Sequence, residues 1–247
     1  IVLGLDTNLT AAARETGLFA PHGVSADLSL PIAWDDAEFL PFDWGYFAFV
    51  GNAGEAAPTS LRALADSDVK VVIQDPRSST PGLGLLMWAK DVYGDEAPQF
   101  WGALADNIVT VTPGWSEAYG LFLEGEADAV LSYTTSPAYH LIAEEDDSKV
   151  AWEFDDGHYM QVEVAGKVAG TDAPELADQF LEFMVSEAFQ SIIPTTNWMY
   201  PAATPVDGLP DGFETLIAPA TSLLKTPEEA LAIREEALAE WRAALSQ

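Results

Sequence analysis

The sequence contains no cysteine. Disulfide bonds, a thiol nucleophile and a thiolate metal site are therefore excluded, and cysteine usage indicates no redox compartment. The sequence also lacks an apolar run of the roughly 18 residues that a membrane-spanning helix requires, and it lacks the basic and apolar segments that mark a signal peptide. We therefore expect no direct insertion into a membrane.

Basic residues are scarce. Ten Lys and Arg stand against forty Asp and Glu, which gives a formal net charge of -30. This charge repels phosphate backbones and anionic lipid surfaces, so nucleic acid is excluded as a partner class. We expect most of the carboxylates on the solvated surface, while their field favours the approach of a cationic ligand.

Apolar and aromatic residues are plentiful, at 49% and 11% of 247 residues, which is enough to bury the core of one large domain or two modest ones. Predicted strands and helices alternate, which favours an α/β chain of parallel βαβ units in two lobes. The predicted strands cover residues 1–5, 44–50, 69–74, 108–112, 128–133 and 159–168, with a turn at 40–43. The predicted helices cover 8–16 and 174–185 and begin near 81, 114 and 226.

Three segments have residues that suit chemistry. The first is the hydroxyl-rich loop 75–82 (DPRSSTPG), which lies between a predicted strand and a predicted helix. Free amides at a helix start, hydroxyl groups and a guanidinium suit a phosphate or carboxylate, and the residues concerned are Arg77, Ser78, Ser79 and Thr80. The alternative is structural, with Thr80 capping the helix and Arg77 paired to a local acid.

The second segment, 114–118 (GWSEA), approaches the G-x-S-x-G nucleophile elbow of serine hydrolases, with Ala in place of the last Gly. Ser116 would be the nucleophile. The partners that a triad needs would come from Asp128 or Asp147 and from His140 or His158. The fit is poor, and the alternative is that Ser116 caps a helix.

The third segment is a set of aromatic residues at predicted element ends, where α/β folds place their ligands. Trp115, Tyr133, Tyr139 and Trp198 each stand beside Gly, Pro, Ser or Thr. Stacking in a ligand pocket and packing in the core remain equal alternatives for them on pattern alone.

A metal site has little support in the sequence. The three histidines, His22, His140 and His158, are well separated, and no pair of them has ligand spacing. The acidic run 144–147 lacks the spaced pattern and the Gly of an EF-hand loop, so we expect a solvated loop and no metal.

Six motifs in this order resemble the thiamine-binding periplasmic proteins of bacterial thiamine ABC transporters. They are LGLD (3–6), PFDWGYFAFV (41–50), QDPRSSTPG (74–82), GWSEAY (114–119), SYTTSPAY (132–139) and NWMYP (197–201). The resemblance implies a type II periplasmic-binding-protein fold, an α/β fold whose two lobes enclose a ligand cleft. Lobe 1 would comprise residues 1–44 and 157–247 and lobe 2 residues 45–156. No catalysis, metal or cofactor is implied.

The resemblance also implies ligand contacts. Trp115, Tyr133, Tyr139 and Trp198 would hold the rings of thiamine, and Ser79 would lie on the phosphate side. Ser78, Thr80 and Arg77 suit the same phosphates, and Asp6, at the end of its strand, is expected to line the cleft. Thiamine, its monophosphate and its diphosphate are not distinguished by these residues.

The biological setting follows from the same resemblance. The protein would be a periplasmic monomer that delivers its ligand to the membrane permease of a thiamine ABC transporter. About sixty residues and a signal peptide are expected before the LGLD strand, because relatives have a strand, a helix and a second strand there.

A ferric-ion-binding protein of the same superfamily is the alternative. Such a site would use clustered tyrosines with His or carboxylate, and Tyr133, Tyr139 and His140 suit that chemistry. The absence of adjacent paired tyrosines and the surplus of Trp argue against it.

Overall fold

The structure is a computed structural model, and residues 1–246 are described. The strands in this range are β1 (Val2–Asp6), β2 (Phe19–Ala20), β3 (Phe39–Asn52), β4 (Val71–Gln74), β5 (Ile108–Thr112), β6 (Ala129–Tyr133), β7 (Lys149–Ala151), β8 (His158–Val168), β9 (Tyr200–Pro201) and β10 (Ser222–Leu223).

The α-helices are α1 (Thr10–Glu15), α2 (Leu61–Ala65), α3 (Thr80–Tyr93), α4 (Ala97–Leu104), α5 (Trp115–Leu123), α6 (Pro174–Met184), α7 (Glu187–Gln190), α8 (Ile193–Thr196) and α9 (Pro227–Leu245). A π-helical turn covers Tyr139–Ala143. In the described part of the chain, no helix is both long and apolar enough to cross a bilayer.

The sheet is mixed, with the order β1-β8-β3-β6-β4-β5. Within this order, β4 pairs in parallel with β5 and β6, whereas the neighbours among β1, β8, β3 and β6 pair antiparallel. The short strand β10 also pairs in parallel, with β8. The predicted arrangement of parallel βαβ units is therefore wrong for most of the sheet. The predicted parallel arrangement is present among β4, β5 and β6, where helices connect the strands. A parallel pair needs such a crossover connection.

The long strand β3 crosses from one part of the sheet to the other. Its first half pairs with β8, from Phe39 to Tyr46, and its second half pairs with β6, from Phe47 to Gly51. One strand therefore belongs to both parts of the sheet, and the end of β6 lies close to β8, where the Tyr133 hydroxyl donates to Gln161 Oε1 at 2.8 Å.

The predicted turn at 40–43 is wrong, since these residues belong to β3. The signal for a turn was Pro41, which donates no backbone hydrogen bond. The register between β3 and β8 shifts between Pro41 and Asp43, and such an irregularity accommodates a proline within a sheet.

Helix α3 packs closely on the sheet because two of its residues are glycines. A Cβ at Gly84 would lie 2.0 Å from Cε2 of Phe47, and a Cβ at Gly82 would lie 2.4 Å from the backbone oxygen of Gln74. No larger residue fits in either contact without displacing the helix. The close approach brings the loop before α3 to the end of β4.

The last helix begins where the sequence predicts. Thr226 caps α9 and Glu229 completes the capping box. Leu238 and Trp241 on this helix are buried in the main core, together with residues of α3 and α4. The helix therefore packs against α3 and α4.

A candidate ligand-binding cleft

A cavity of about 650 Å³ lies where the loop before α3, the start of α5, the end of β6 and the segment after α8 meet. This volume is in the usual range of small-molecule sites. Seven of the nine predicted site residues line it, namely Ser78, Ser79, Thr80, Trp115, Tyr133, Tyr139 and Trp198. Arg77 and Asp6 do not.

One end of the cavity is the hydroxyl-rich start of α3. Ser79 is the N-cap residue in an extended conformation, and no side chain caps the helix, so the predicted capping by Thr80 is wrong. The Ser78 hydroxyl donates to the Pro113 carbonyl oxygen at 2.7 Å. The first amides of a helix have no partner within it and carry the positive end of its dipole, and the residues at this start of α3 line the cavity.

Arg77 lies outside the cavity wall. Its guanidinium forms a fork with the carboxylate of Asp75, with Nε 2.9 Å from Oδ1, and it is largely exposed. This hydrogen bond lowers the pKa of Asp75. The structure therefore shows the second of the two alternatives for Arg77, in which the guanidinium pairs with a local acid.

Trp115, the first residue of α5, is held from behind by a hydroxyl network. Its indole Nε1 donates to Ser132 Oγ at 2.7 Å, and Ser132 Oγ lies 2.7 Å from Ser136 Oγ. The ring also contacts Tyr119, at 4.8 Å between centroids. Trp115 is 39% exposed, so these contacts orient the ring and leave part of the residue open to the cavity.

Tyr133, at the end of β6, forms the floor. Its hydroxyl donates to Gln161 Oε1 at 2.8 Å, and its ring lies 5.1 Å from that of Phe47. Burial, with the nearby acids on β8, β3 and β1, raises the pKa of Tyr133 well above its usual value. The hydroxyl therefore stays neutral, and Tyr133 lines the cavity.

Tyr139 and Trp198 form the facing wall. Their rings meet edge to face at 5.4 Å. Trp198 has a φ of 56°, in the left-handed region that non-glycine residues avoid. Such a conformation costs on the order of 1–3 kcal/mol and persists mainly where surrounding structure holds a functional residue in place.

The site also has an acidic residue that sequence reasoning missed. Glu163, in the middle of β8, lines the cavity, and Asp6 and Asp43 flank it on β1 and β3. Asp6 is fully buried behind the wall, which corrects its expected place at the cleft surface. The sequence signal that could have revealed this group is a single acid in each of three apolar strand segments. Burying a carboxylate costs free energy, so such acids point to a function.

The hydrolase hypothesis fails on geometry. Gly114 is the N-cap of α5, so Ser116 lies within the first turn, exposed, and is not a cap. His140 contacts Tyr119 and Glu144 through its two ring nitrogens, at 3.0 and 2.9 Å. The ring nitrogens of the other candidate, His158, contact the backbone of Phe47 and Phe154. Neither histidine is available to Ser116.

One group of side chains has metal-ligating atoms close together, although the sequence favoured no metal site. His140, Glu144 and Asp146 offer ligand atoms within 4.8 Å of one another. These atoms already have partners in the chain, since Glu144 accepts from Tyr139 and Asp146 accepts from Ser148. Tyr133 is not part of this group, so the residues that a ferric site would combine are divided between two places.

Comparison with known proteins gives one family. A family model described as bacterial extracellular solute-binding protein matches residues 44–195. The thiamine-binding periplasmic protein of Escherichia coli strain K12 is 57% identical over 252 aligned residues, which cover 100% of this chain and 76% of that protein.

Comparison with solved structures gives the same family. A structure described as a periplasmic thiamin binding protein has a TM-score of 0.97 and 56% identity, with 100% of this chain and 78% of that chain covered. The ferric binding protein from Campylobacter jejuni has a TM-score of 0.76 at 16% identity, with 98% and 82% covered. The second likeness shows the fold alone.

Proposed function

The chain belongs to the bacterial extracellular solute-binding proteins and, within them, to the thiamine-binding periplasmic proteins, and on this premise we propose that its cavity captures thiamine. The bound vitamin, free or as a phosphate, is then delivered to the permease of an ABC importer. The protein works as a monomer in the periplasm. Members of the family are binding proteins, so the function is capture and not catalysis.

The observation that carries the proposal is the composition of the cavity wall. Aromatic rings from α5, β6 and the segment after α8 surround one space, which Glu163 also lines. Thiamine has a permanently cationic thiazolium, which an aromatic face stabilises by about 0.5–2 kcal/mol, and an aminopyrimidine that stacks. The hydroxyl-rich start of α3 suits the phosphate of the phosphorylated forms.

The type II periplasmic-binding-protein fold that the sequence suggests is confirmed by the likeness to solved members. We propose that its lobes divide within β3, with 1–44 and 157–247 in lobe 1 and 45–156 in lobe 2. The pairing of β3 supports this division, because its partner changes from β8 to β6 between Tyr46 and Phe47. The cavity has walls from both sides of that point.

Calorimetric titration of the natural protein with thiamine and with its two phosphates tests the function. We expect saturable binding of one ligand per chain, with a change in Trp fluorescence because Trp115 and Trp198 line the cavity. Inorganic phosphate and choline, which lack the rings, serve as controls. Absence of both heat and a fluorescence change with every thiamine form would overturn the proposal.

Replacing Ser132 by alanine is expected to weaken thiamine binding modestly. The substitution removes the acceptor of the Trp115 indole, and a hydrogen bond of this kind is worth about 0.5–1.5 kcal/mol, or roughly 2- to 12-fold in Kd. The same titration measures the effect. Thr195→Ala, an exposed hydroxyl outside the cavity wall, is the control, and equal affinities in the two variants would contradict a positioning role.

A further inference from the structure

Three carboxylic acids lie side by side on adjacent strands beneath the cavity. Glu163 on β8 is paired in register with Asp6 on β1 and with Asp43 on β3. Residues that are directly opposite across a sheet project to the same face, about 5 Å apart. We refer to Asp6, Asp43 and Glu163 as the acid triplet.

The acid triplet is buried and short of partners. Asp6 and Asp43 are fully buried, and one carboxylate oxygen of each, Oδ2 of Asp6 and Oδ1 of Asp43, has no hydrogen-bond partner. Within residues 1–246, neither acid forms an ion pair with Lys, Arg or His, and nor does Glu163. A buried charge without a counter-charge is normally neutralised by a proton or by a bound cation.

The other groups around the triplet are neutral. The backbone amide of Asn8 donates to Asp6, and the side-chain amide of Asn197 donates to Asp43. The Tyr159 hydroxyl donates to Asn8 Oδ1, next to this site. Tyr133 on β6 and Gln161 on β8 face Glu163. The protein therefore supplies hydrogen bonds to the triplet and no positive charge.

The pKa values of the three acids are raised, as expected for buried carboxyl groups without a counter-charge. Burial raises the pKa of Asp6 to about 7, and the neighbouring Glu163 adds to the increase. Burial also raises the pKa of Asp43 and of Glu163. The raised pKa values therefore favour retention of a proton on the triplet towards neutral pH.

Glu163 is the member that reaches the cavity, beside Tyr133, Asn197 and Trp198. We propose that Glu163 is the counter-charge that recognises the cationic ring of the ligand, and that entry of this cation makes the acid triplet release a proton to solvent. The carboxyl O–H bond breaks, the proton goes to the buffer, and the carboxylate remains as the partner of the cation. The inference rests on the proposed function.

Proton release fixes the sign of the pH dependence. Below the range in which the triplet ionises, each bound cation must displace a proton, so affinity falls as pH falls, by at most about tenfold per pH unit per proton. Above that range the triplet is already ionised and affinity no longer depends on it. We expect the affinity to change with pH from the usual carboxyl range up to about pH 7, which is the pKa of Asp6.

Calorimetric titration with thiamine at pH 6 in two buffers of different ionisation heat counts the protons. The natural protein is expected to release roughly one proton per thiamine at pH 6 and close to none at pH 9. Glu163→Gln is expected to lose most of that release and to bind thiamine about 10- to 100-fold more weakly at pH 8, with a smaller deficit at pH 6. Glu182→Gln, the same change at an exposed position on α6, is expected to behave as the natural protein.

The outcomes separate the two claims. Thiamine binding with identical heats in both buffers overturns proton release and leaves the proposed function standing, and this result needs no variant. Undiminished proton release in a folded Glu163→Gln protein overturns the role of Glu163. Absence of thiamine binding to the natural protein overturns the proposed function itself.

Discussion

Trp198→Ala is expected to weaken thiamine binding by about 1–3 kcal/mol, a factor of roughly 5 to 150 in Kd. Trp198 lines the cavity opposite the start of α5, and its ring meets Tyr139 edge to face at 5.4 Å. The substitution removes both a stacking surface for the ligand and the support of its neighbour. Titration of the purified variant with thiamine measures the effect.

Two further variants decide the cause. Trp198→Phe keeps an aromatic face and should recover part of the loss. Phe183→Ala removes a half-exposed aromatic ring on α6, outside the cavity wall, and should bind as the natural protein does. If Trp198→Ala bound thiamine with natural affinity and an unchanged Tm, the proposed cleft would be incorrect.

Asp6→Asn is expected to make the protein more stable at high pH. The folded protein retains the Asp6 proton up to about pH 7, because burial raises a pKa whose usual value is 3.8. The unfolded chain loses that proton near its usual value, so between the two the folded state binds more protons. The contribution of Asp6 to the free energy of unfolding therefore falls as pH rises from about 4 to 7, by up to about 4 kcal/mol.

Asparagine removes this dependence and keeps the local hydrogen bond, since Oδ1 at position 6 accepts from the Asn8 amide. The difference in free energy of unfolding between the variant and the natural protein should be small at pH 4 and largest above pH 7. Urea titrations across this range measure it. Asp95→Asn, at an exposed position, is the control, and parallel stability curves for Asp6→Asn and the natural protein would show that the pKa of Asp6 is the same in the folded and unfolded states.

Local patterns predicted much of the molecule. The capping box at Thr226 and Glu229 specifies the start of α9, because both partners lie within one helical turn. The motifs around Trp115, Tyr133, Tyr139 and Trp198 predicted aromatic residues at element ends, and the structure brings all four into one cavity wall. Their role as ligand contacts stays a prediction until binding is measured.

The structure distinguished two explanations where both fitted the same residues. Pro41 suggested a turn, yet β3 continues through it because the register shifts at that point. Arg77 suited a phosphate, yet Asp75, two residues away, already takes its guanidinium. A local sequence pattern does not show which of two possible partners a side chain contacts, whereas the packed structure does.

Composition and local pattern by themselves determined the acidic surface, the absence of thiol chemistry and the positions of most helices and strands, since these depend on neighbouring residues only. The tertiary structure alone decided that Asp6, Asp43 and Glu163 meet beneath the cleft. Their strands are far apart in the chain, and the register of hydrogen bonds between distant strands depends on how the whole sheet packs. The acid triplet is therefore a property of the fold, and no single segment of the sequence reveals it.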